Sequence, residues 1–353
     1  MAFVDKKEIK IAVDCRLLNK KQNTGISRYT EFLIEYYISR FGNKNVSLIT
    51  NDKMFDYYEC PIIYSKLKPF NFIHFLSYAN FIKKNKIEFL HVPFYSCFYK
   101  KNKNVKSIVT VHDLMFYFVK DFFGENILLN KIKFFYFDFI VKKTLLNANV
   151  ILSVSGTTQK DVFKYYGYNS IHIPEDSEIL QLADYSILDK FNLKEKKFFF
   201  YCGNNRPHKN IDFIIDVFAN NLNLPPLVLA GKGHKNFRNV IATGIITDEE
   251  LRALYKSAIA FVFPSKCEGF GLPILEAIRS ETLVVASNIP AFMEFKTRNI
   301  YFFELGDEKD FLRAIKETLS NDFSLDKEFL NYYDKKIIYE LNDLMVNNLL
   351  ELN

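Results

Sequence analysis

The sequence predicts an α/β protein made of two doubly wound domains in series. Three observations carry this. Strand-like and helix-like stretches alternate along most of the chain, the pattern of a parallel sheet covered on both faces. The alternation loses its period between about residues 171 and 197 and then restarts. The 353 residues, 49% of them hydrophobic, suffice for two cores at roughly 150 residues per domain. The expected division is 1–170, a linker at 171–197, 198–326, and a C-terminal helical segment at 327–353.

In the first half, "IKIAVDCRLL" reads as a strand. "GISRYTEFLIEYYISRF" places Tyr29, Phe32, Leu33, Tyr36 and Tyr37 at helical spacing, so Gly25 opens a helix. "VSLIT", "FLHVP" and "SIVTVHD" read as short buried strands, and a helix is expected near Asn130 to Leu146. "VILSVS" is a further strand, and "TTQKDVFKYYG" a helix closed by Gly167. The linker, "IPEDSEILQLADYSILDKFNLKEKK", mixes charges without a period.

In the second half, "KFFFYCG", "PLVLAG", "IAFVFPS" and "TLVVAS" read as strands. "NIDFIIDVFAN", "TDEELRALYKSA", "GLPILEAIRS" and "DEKDFLRAIKETLSN" read as helices, the second with Thr247 as N-cap and Glu250 completing a capping box. The stretch from Lys327 to Leu352 reads as helical. Ligands of such sheets bind at the carboxyl ends of strands, and two such edges are expected to face one cleft.

Composition narrows the function classes. No run of ~18 apolar residues lacks a charge, and the polar lead from Met1 to Lys10 is unlike a signal peptide. Five widely spaced cysteines, with no C-x-x-C pair, argue against zinc and a disulfide framework and favour a cytoplasmic setting. Cys267 reads as a small packing residue. The net charge is +6, from 47 basic and 41 acidic residues. Much of the excess lies at Lys83, Lys84, Lys86, Lys100, Lys101, Lys103, Lys106, Lys131, Lys133, Lys142 and Lys143, interleaved with Phe and Tyr. Three readings stay open: an anionic membrane surface, nucleic acid, or lysines on a solvated face above buried rings.

The chemistry-bearing residues sit on strand-to-helix turns. In "YCGNNRPHKNIDF" a strand ends at Gly203, and Arg206, His208 and Lys209 crowd the turn before a helix. A helix N-terminus with added cations suits phosphate; the alternative is a solvated loop. "LAGKGH" is a second glycine turn, weak evidence alone. In "FPSKCEGFGLPILEAI", Gly269 and Gly271 flank Phe270 and let the backbone turn sharply after Glu268. Leu272 and Pro273 then open a helix that carries Glu276. A helical carboxylate can accept from both hydroxyls of a ribose, and Glu268 would reach a second sugar. The plain alternatives are an exposed helix residue for Glu276 and, for Glu268, an acid favoured by the helix dipole.

These residues resemble a family 4 (group 1) retaining glycosyltransferase of the GT-B fold, of mannosyl- or rhamnosyltransferase type. The E-x7-E spacing from Glu268 to Glu276 is the most specific mark. "GNNRPHKN", "GIITDEELRALYKSAIAFVFPS", "TVHDL", "TGISRYT" and "SVSGTTQKDV" match further landmarks in order. The resemblance implies two Rossmann-like domains, with the C-terminal helix returning to the first. It implies a nucleotide-sugar donor held by Gly25, Gly203, Arg206, Lys209, Glu268, Gly269, Phe270, Gly271, Leu272 and Glu276. Of these, Glu276 would take the ribose, Glu268 the donor sugar, and Lys209 with Arg206 the diphosphate. His112, which alone reads as a packed loop histidine, would lie near the transferred sugar, with His112 and Asp113 on the acceptor side. The catalytic set would be His112, Arg206, Lys209 and Glu268.

The chain departs from the family where "RSETLVV" replaces a "GxPVV" pattern, with Glu281 and Leu283 in the Gly and Pro places, and "AFMEFKTRNIYFF" is a loose match. No two aspartates stand as D-x-D, so no metal and no cofactor are expected. GDP-mannose is the favoured donor, with UDP- or dTDP-sugars as alternatives. The acceptor is expected to be a glycan, lipid-linked, in surface polysaccharide or O-antigen assembly. The protein is expected in the cytoplasm, peripheral to the inner face of the membrane, without a nucleic-acid partner. Two other readings are a non-catalytic nucleotide-sugar-binding protein and a nicotinamide-dependent oxidoreductase. The second would want G-x-G-x-x-G where "NTGISRY" supplies one glycine.

Overall fold

The computed structural model describes residues 10–18, 24–52, 58–100, 102–176 and 182–351. The polar lead before Lys10, Lys101 and residues 177–181 of the expected linker lie outside these. The chain divides into two units, residues 1–176 with 335–353, and residues 177–334.

The first unit holds β1 (Ile11–Asp14), α1 (Gly25–Phe41), β2 (Val46–Thr50), β3 (Ile62–Tyr64), α2 (Phe72–Lys84), β4 (Phe89–Val92), β5 (Lys106–Val111), α3 (Ile127–Asn147), β6 (Val150–Ser153), α4 (Gly156–Tyr166) and β7 (Ile171–His172). Its seven strands run parallel in the order β3-β2-β1-β4-β5-β6-β7. Alternate residues of β1 face opposite layers. Ile11 and Val13 join α1, whereas Ala12 packs among Tyr78 and Ile82 of α2 and Val141 of α3. The periodic residues of α1 are all buried, and Thr24 caps it by accepting from the Ser27 N–H. No element is expected from sequence at residues 72–84. There α2 forms, capped by Asn71, and its outward Phe72, Ile73 and Leu76 hide the inner stripe.

β1 is shorter than its apolar run because polar side chains take over. Arg16 donates through Nε to Asp14 Oδ1 (2.8 Å) and through Nη1 to the Leu67 carbonyl (2.6 Å). The Tyr78 hydroxyl donates to Asp14 Oδ2 (2.5 Å), and His74 Nε2 lies 3.0 Å from Arg16 Nη2. All four side chains are buried. Burial first, then the Arg16 charge, pull His74 down to about 3, so its imidazole is neutral at pH 7.

The second unit holds α5 (Ser186–Lys190), β8 (Phe199–Cys202), α6 (Ile211–Asn220), β9 (Leu227–Ala230), β10 (Val240–Gly244), α7 (Asp248–Ser257), β11 (Ala260–Phe263), α8 (Leu272–Arg279), β12 (Leu283–Ser287), β13 (Ile300–Phe303), α9 (Glu308–Ser320) and α10 (Lys327–Tyr332). The parallel sheet has the order β10-β9-β8-β11-β12-β13. In both sheets the order reverses beside the first strand, between β1 and β4 and between β8 and β11. Such a reversal leaves a crevice at the strands' carboxyl ends.

Two expected segments differ. The stretch 171–197 contains β7, paired with β6, and α5, which buries Ile187 and Leu188. Elements this short show no period. The helix expected over 327–352 is broken. Tyr333 packs its ring on Phe329 and Phe295 and gives its carbonyl to Arg279 Nη2 (2.6 Å). The remainder, α11 (Lys335–Glu351), belongs to the first unit, as expected of a returning helix. Ile338, Met345, Val346 and Leu349 enter the core beside α1, and Tyr339 stacks edge-on against Phe32 and Tyr36.

Candidate active site

The turns after β8 and β11 meet at the reversal of the second sheet. β8 ends at Gly203 (φ 153°), where a Cβ would lie 2.5 Å from the Tyr201 hydroxyl. At Gly231 (φ 128°), a Cβ would lie 2.0 Å from the Gly203 carbonyl oxygen. The "LAGKGH" turn is therefore a close backbone approach, and His234 Nε2 donates to that same oxygen (2.8 Å).

From there Arg206 leads into a 3₁₀ turn, Pro207–Lys209, and Asn210 takes the left-handed conformation (φ 56°) that starts α6. His208 is buried, and its carbonyl accepts from the Lys266 N–H (2.7 Å), tying the two turns together. Burial first, then Lys209 and Arg206, hold His208 below its usual value against the opposing pull of Glu268. The turn's positive charge therefore comes from Arg206, which is exposed, and Lys209. Lys209 Nζ lies 2.6 Å from Glu268 Oε1, in a pair whose side chains are 17% and 13% exposed, and 5.0 Å from the Phe263 ring centre. So the strand turn and the E-x7-E stretch are joined by an ion pair.

Glu276 is buried, not an exposed helix residue. Its Oε2 accepts from the Tyr255 hydroxyl (3.0 Å). Tyr255 is fixed by ring contacts to Phe200 and Phe261, each at 5.1 Å, and its carbonyl accepts from Thr282 Oγ1 (2.6 Å). Gly271 (φ 128°) is pressed against Phe292 and Phe295. The Phe270 and Leu272 side chains are buried in packing, so what they offer a ligand is backbone. Gly269 lies between Glu268 and these residues, and Cys267 is half-buried.

Apart from the five-residue α5, the helices with a described N-cap differ at this place. Thr24, Asn71, Asn126, Ser155, Thr247, Asp307 and Asp326 each cap a helix through a side chain. α6 and α8 have no side-chain cap. The first-turn N–H groups of α6, with the positive end of its dipole, suit an anionic group. In α8, Pro273 has no N–H and the Ile274 N–H bonds to the Gly271 carbonyl (2.9 Å), so its start offers mainly the dipole.

His112 follows β5 in the first unit and is buried. Its Nδ1 lies 2.6 Å from Glu175 Oε1 and its Nε2 3.0 Å from the Pro93 carbonyl oxygen. Burial pulls its pKa down, but the Glu175 charge and hydrogen bond, with Asp113 and Pro93, raise it more. Both partners are acceptors, so the geometry favours an imidazolium. Asp113 accepts from the Met115 N–H (2.9 Å). Gly25 is exposed at the first position of α1. The sequence reading missed Glu175 and Tyr255. Glu175 stands in the expected linker, 63 residues from its partner, and Tyr255 reads as one more core ring.

Residues 186–336 match the model of the family described as glycosyl transferases group 1, a span that includes Arg206, Lys209 and both acids. That span lies almost wholly within the second unit. The chain is also similar to the O-antigen chain mannosyltransferase RfbU of Salmonella typhimurium, 29% identical over 244 residues, 64% of this chain and 65% of that protein. It is similar to the serotype-specific mannosyltransferase WbdA of Escherichia coli, 29% identical over 205 residues, 52% of this chain and 23% of that protein. In both, the match spans less than two thirds of the relative's length. Among solved structures, sucrose-phosphate synthase from Thermosynechococcus elongatus matches with a TM-score of 0.77 at 16% identity, over 97% of this chain and 99% of that one. The fold class is GT-B, with two parallel-sheet Rossmann-like domains. Among the described residues no helix is long and apolar enough to cross a membrane.

Proposed function

We propose that this protein is a retaining hexosyltransferase of family 4 type, moving mannose from GDP-mannose to a lipid-linked glycan in O-antigen or related surface polysaccharide assembly. The observation that carries the reading is the Lys209–Glu268 ion pair, which joins the turn before α6 to the turn before α8, the helix that carries the buried Glu276. The names of the mannosyltransferase relatives support the sugar and the pathway.

The chemistry follows from charge. The bond between the anomeric carbon and the diphosphate oxygen breaks, leaving negative charge on phosphate and oxocarbenium character on the sugar. Lys209, Arg206 and the N–H groups of α6 offset the first charge, each such contact contributing about 2.7–4 kcal/mol. An ammonium has three donors and a carboxylate about four acceptor sites. A phosphate oxygen and a sugar hydroxyl can therefore join the Lys209–Glu268 pair without breaking it. Glu276, pinned by Tyr255, accepts from the ribose diol. The acceptor hydroxyl attacks the face the phosphate leaves, and its proton passes to the departing phosphate oxygen. No metal and no enzyme nucleophile takes part, and activity is expected to survive EDTA. His112 and Asp113 are assigned to the acceptor side. The enzyme works in the cytoplasm.

A thermal-shift screen of GDP, UDP, dTDP and their sugars tests this, since a ligand bound by the folded state raises the melting temperature by mass action. GDP and GDP-mannose are expected to give the largest shift. No response to any nucleotide would overturn the donor site, and a UDP- or dTDP-sugar response would replace the donor.

A further inference from the structure

α3 is turned against the usual rule. Its inner face buries Ile140, Val141, Thr144 and Leu145. Its outer face is also apolar: Leu128 (69% exposed), Ile132 (56%), Phe135 (68%), Phe139 (42%) and Leu146 (49%) form one stripe at helical spacing. The neighbouring helix continues the patch, because Phe72, Ile73 and Leu76 of α2 are exposed as well. Phe75 of α2 meets Phe139 at 6.0 Å, and the Tyr136 hydroxyl of α3 donates to the Phe70 carbonyl (2.9 Å). Exposed apolar residues scattered singly need no explanation, but a contiguous patch marks an interaction site.

Asp138 apart, the charges on the two helices are positive, and the nearest other acid in sequence is Glu125, two residues before α3. α3 carries Lys131, Lys133, Lys142 and Lys143, and α2 ends in Lys83 and Lys84. The only acid of α3, Asp138, is held by the hydroxyls of Tyr117 and Tyr166. α2 has no acid. A second copy of this face would set lysine against lysine. Nucleic acid would meet the lysines and leave the apolar stripe wet. An anionic bilayer offers lipid phosphate and hydrocarbon together.

We propose that the outer faces of α2 and α3 dock this protein onto an anionic lipid bilayer. The Ile132 and Phe135 side chains enter the boundary between headgroups and acyl chains, and the flanking lysines meet the lipid phosphates. The helices lie on the membrane and do not span it. This stands on the surface alone and is independent of the sugar-transfer reading.

Sedimentation with vesicles tests it. The wild type is expected to pellet with vesicles of equal phosphatidylglycerol and phosphatidylcholine, to stay in solution with phosphatidylcholine alone, and to be partly released by salt. The double variant Ile132→Asp, Phe135→Asp is expected to lose binding. Lys131→Gln with Lys142→Gln is expected to weaken it by about 25-fold, at about fivefold per lysine. These side chains are exposed, so both variants should keep the wild-type circular dichroism. If the apolar variant misfolds, the lysine variant still decides. Failure of the wild type to bind phosphatidylglycerol vesicles would overturn the proposal, as would unchanged binding by the folded variants. So would a wild-type dimer that Ile132→Asp, Phe135→Asp dissolves, which would give the face to a second copy.

Discussion

Lys209 keeps its ammonium 2.6 Å from Glu268 while its backbone ends a turn tied to the next loop by His208. Lys209→Ala would remove the charge and leave that turn in place. With Lys209 on the leaving diphosphate, kcat should fall by about 10²–10³ with an unchanged circular dichroism spectrum; steady-state kinetics with the best donor would show it, and a near-normal kcat would exclude the role. At His112 the consequence is a pH dependence. Its folded-state pKa lies above the unfolded value of about 6.5. The stability it contributes is therefore complete below that value and lost as pH rises through the folded pKa. Urea midpoints taken from about pH 6 to about pH 9 should fall for the wild type, and Glu175→Gln should flatten that part of the profile. The same histidine shows how far a single residue can be read from sequence. "VHDL" places it after a strand, but its protonation is set by Glu175 and Pro93, remote in the chain. Glu276 is similar: the spacing finds it, but its burial and the hydrogen bond from Tyr255 come from packing remote in the chain.

Helix ends were legible where a side chain writes the signal and not where the backbone does. Thr247 and Glu250 form the expected capping box, and Gly167 ends α4 in the left-handed conformation, because each uses the residue type its geometry favours. α8 is the counter-example. The Thr282 N–H bonds to the Ala277 carbonyl and the Glu281 N–H to that of Ile278, a Schellman end that puts Glu281 at φ 58°. A non-glycine residue there costs about 1–2 kcal/mol, partly balanced by the unfolded-state entropy a glycine adds. Glu281→Gly should therefore stabilise the protein by up to about 1 kcal/mol, measured as a higher urea midpoint at unchanged m. Elements the sequence reading lacked fail for a related reason. β7 is two residues long and α5 five, and α2 shows apolar residues on both faces, so no period emerges.

At the scale of the whole molecule, the two-domain plan was written in the alternation of short buried strands with longer helices. What the alternation does not encode is which unit receives a late helix. α11 carries no mark of its destination, yet Leu349 and Met345 are buried in the first unit's core. Leu349→Ala should cost about 2–5 kcal/mol, and native-state hydrogen exchange should locate the loss in α1 and its strands, with the second unit keeping its protection. Loss confined to the second unit would contradict the division.

That crossing also orders events at the ribosome. The first unit cannot close its core until residues 335–351 have been translated, so the second unit, though encoded later than most of the first, has every residue it needs first. A nascent chain stalled short of Lys335 would carry one finished half and one with an open, sticky groove where a chaperone would bind.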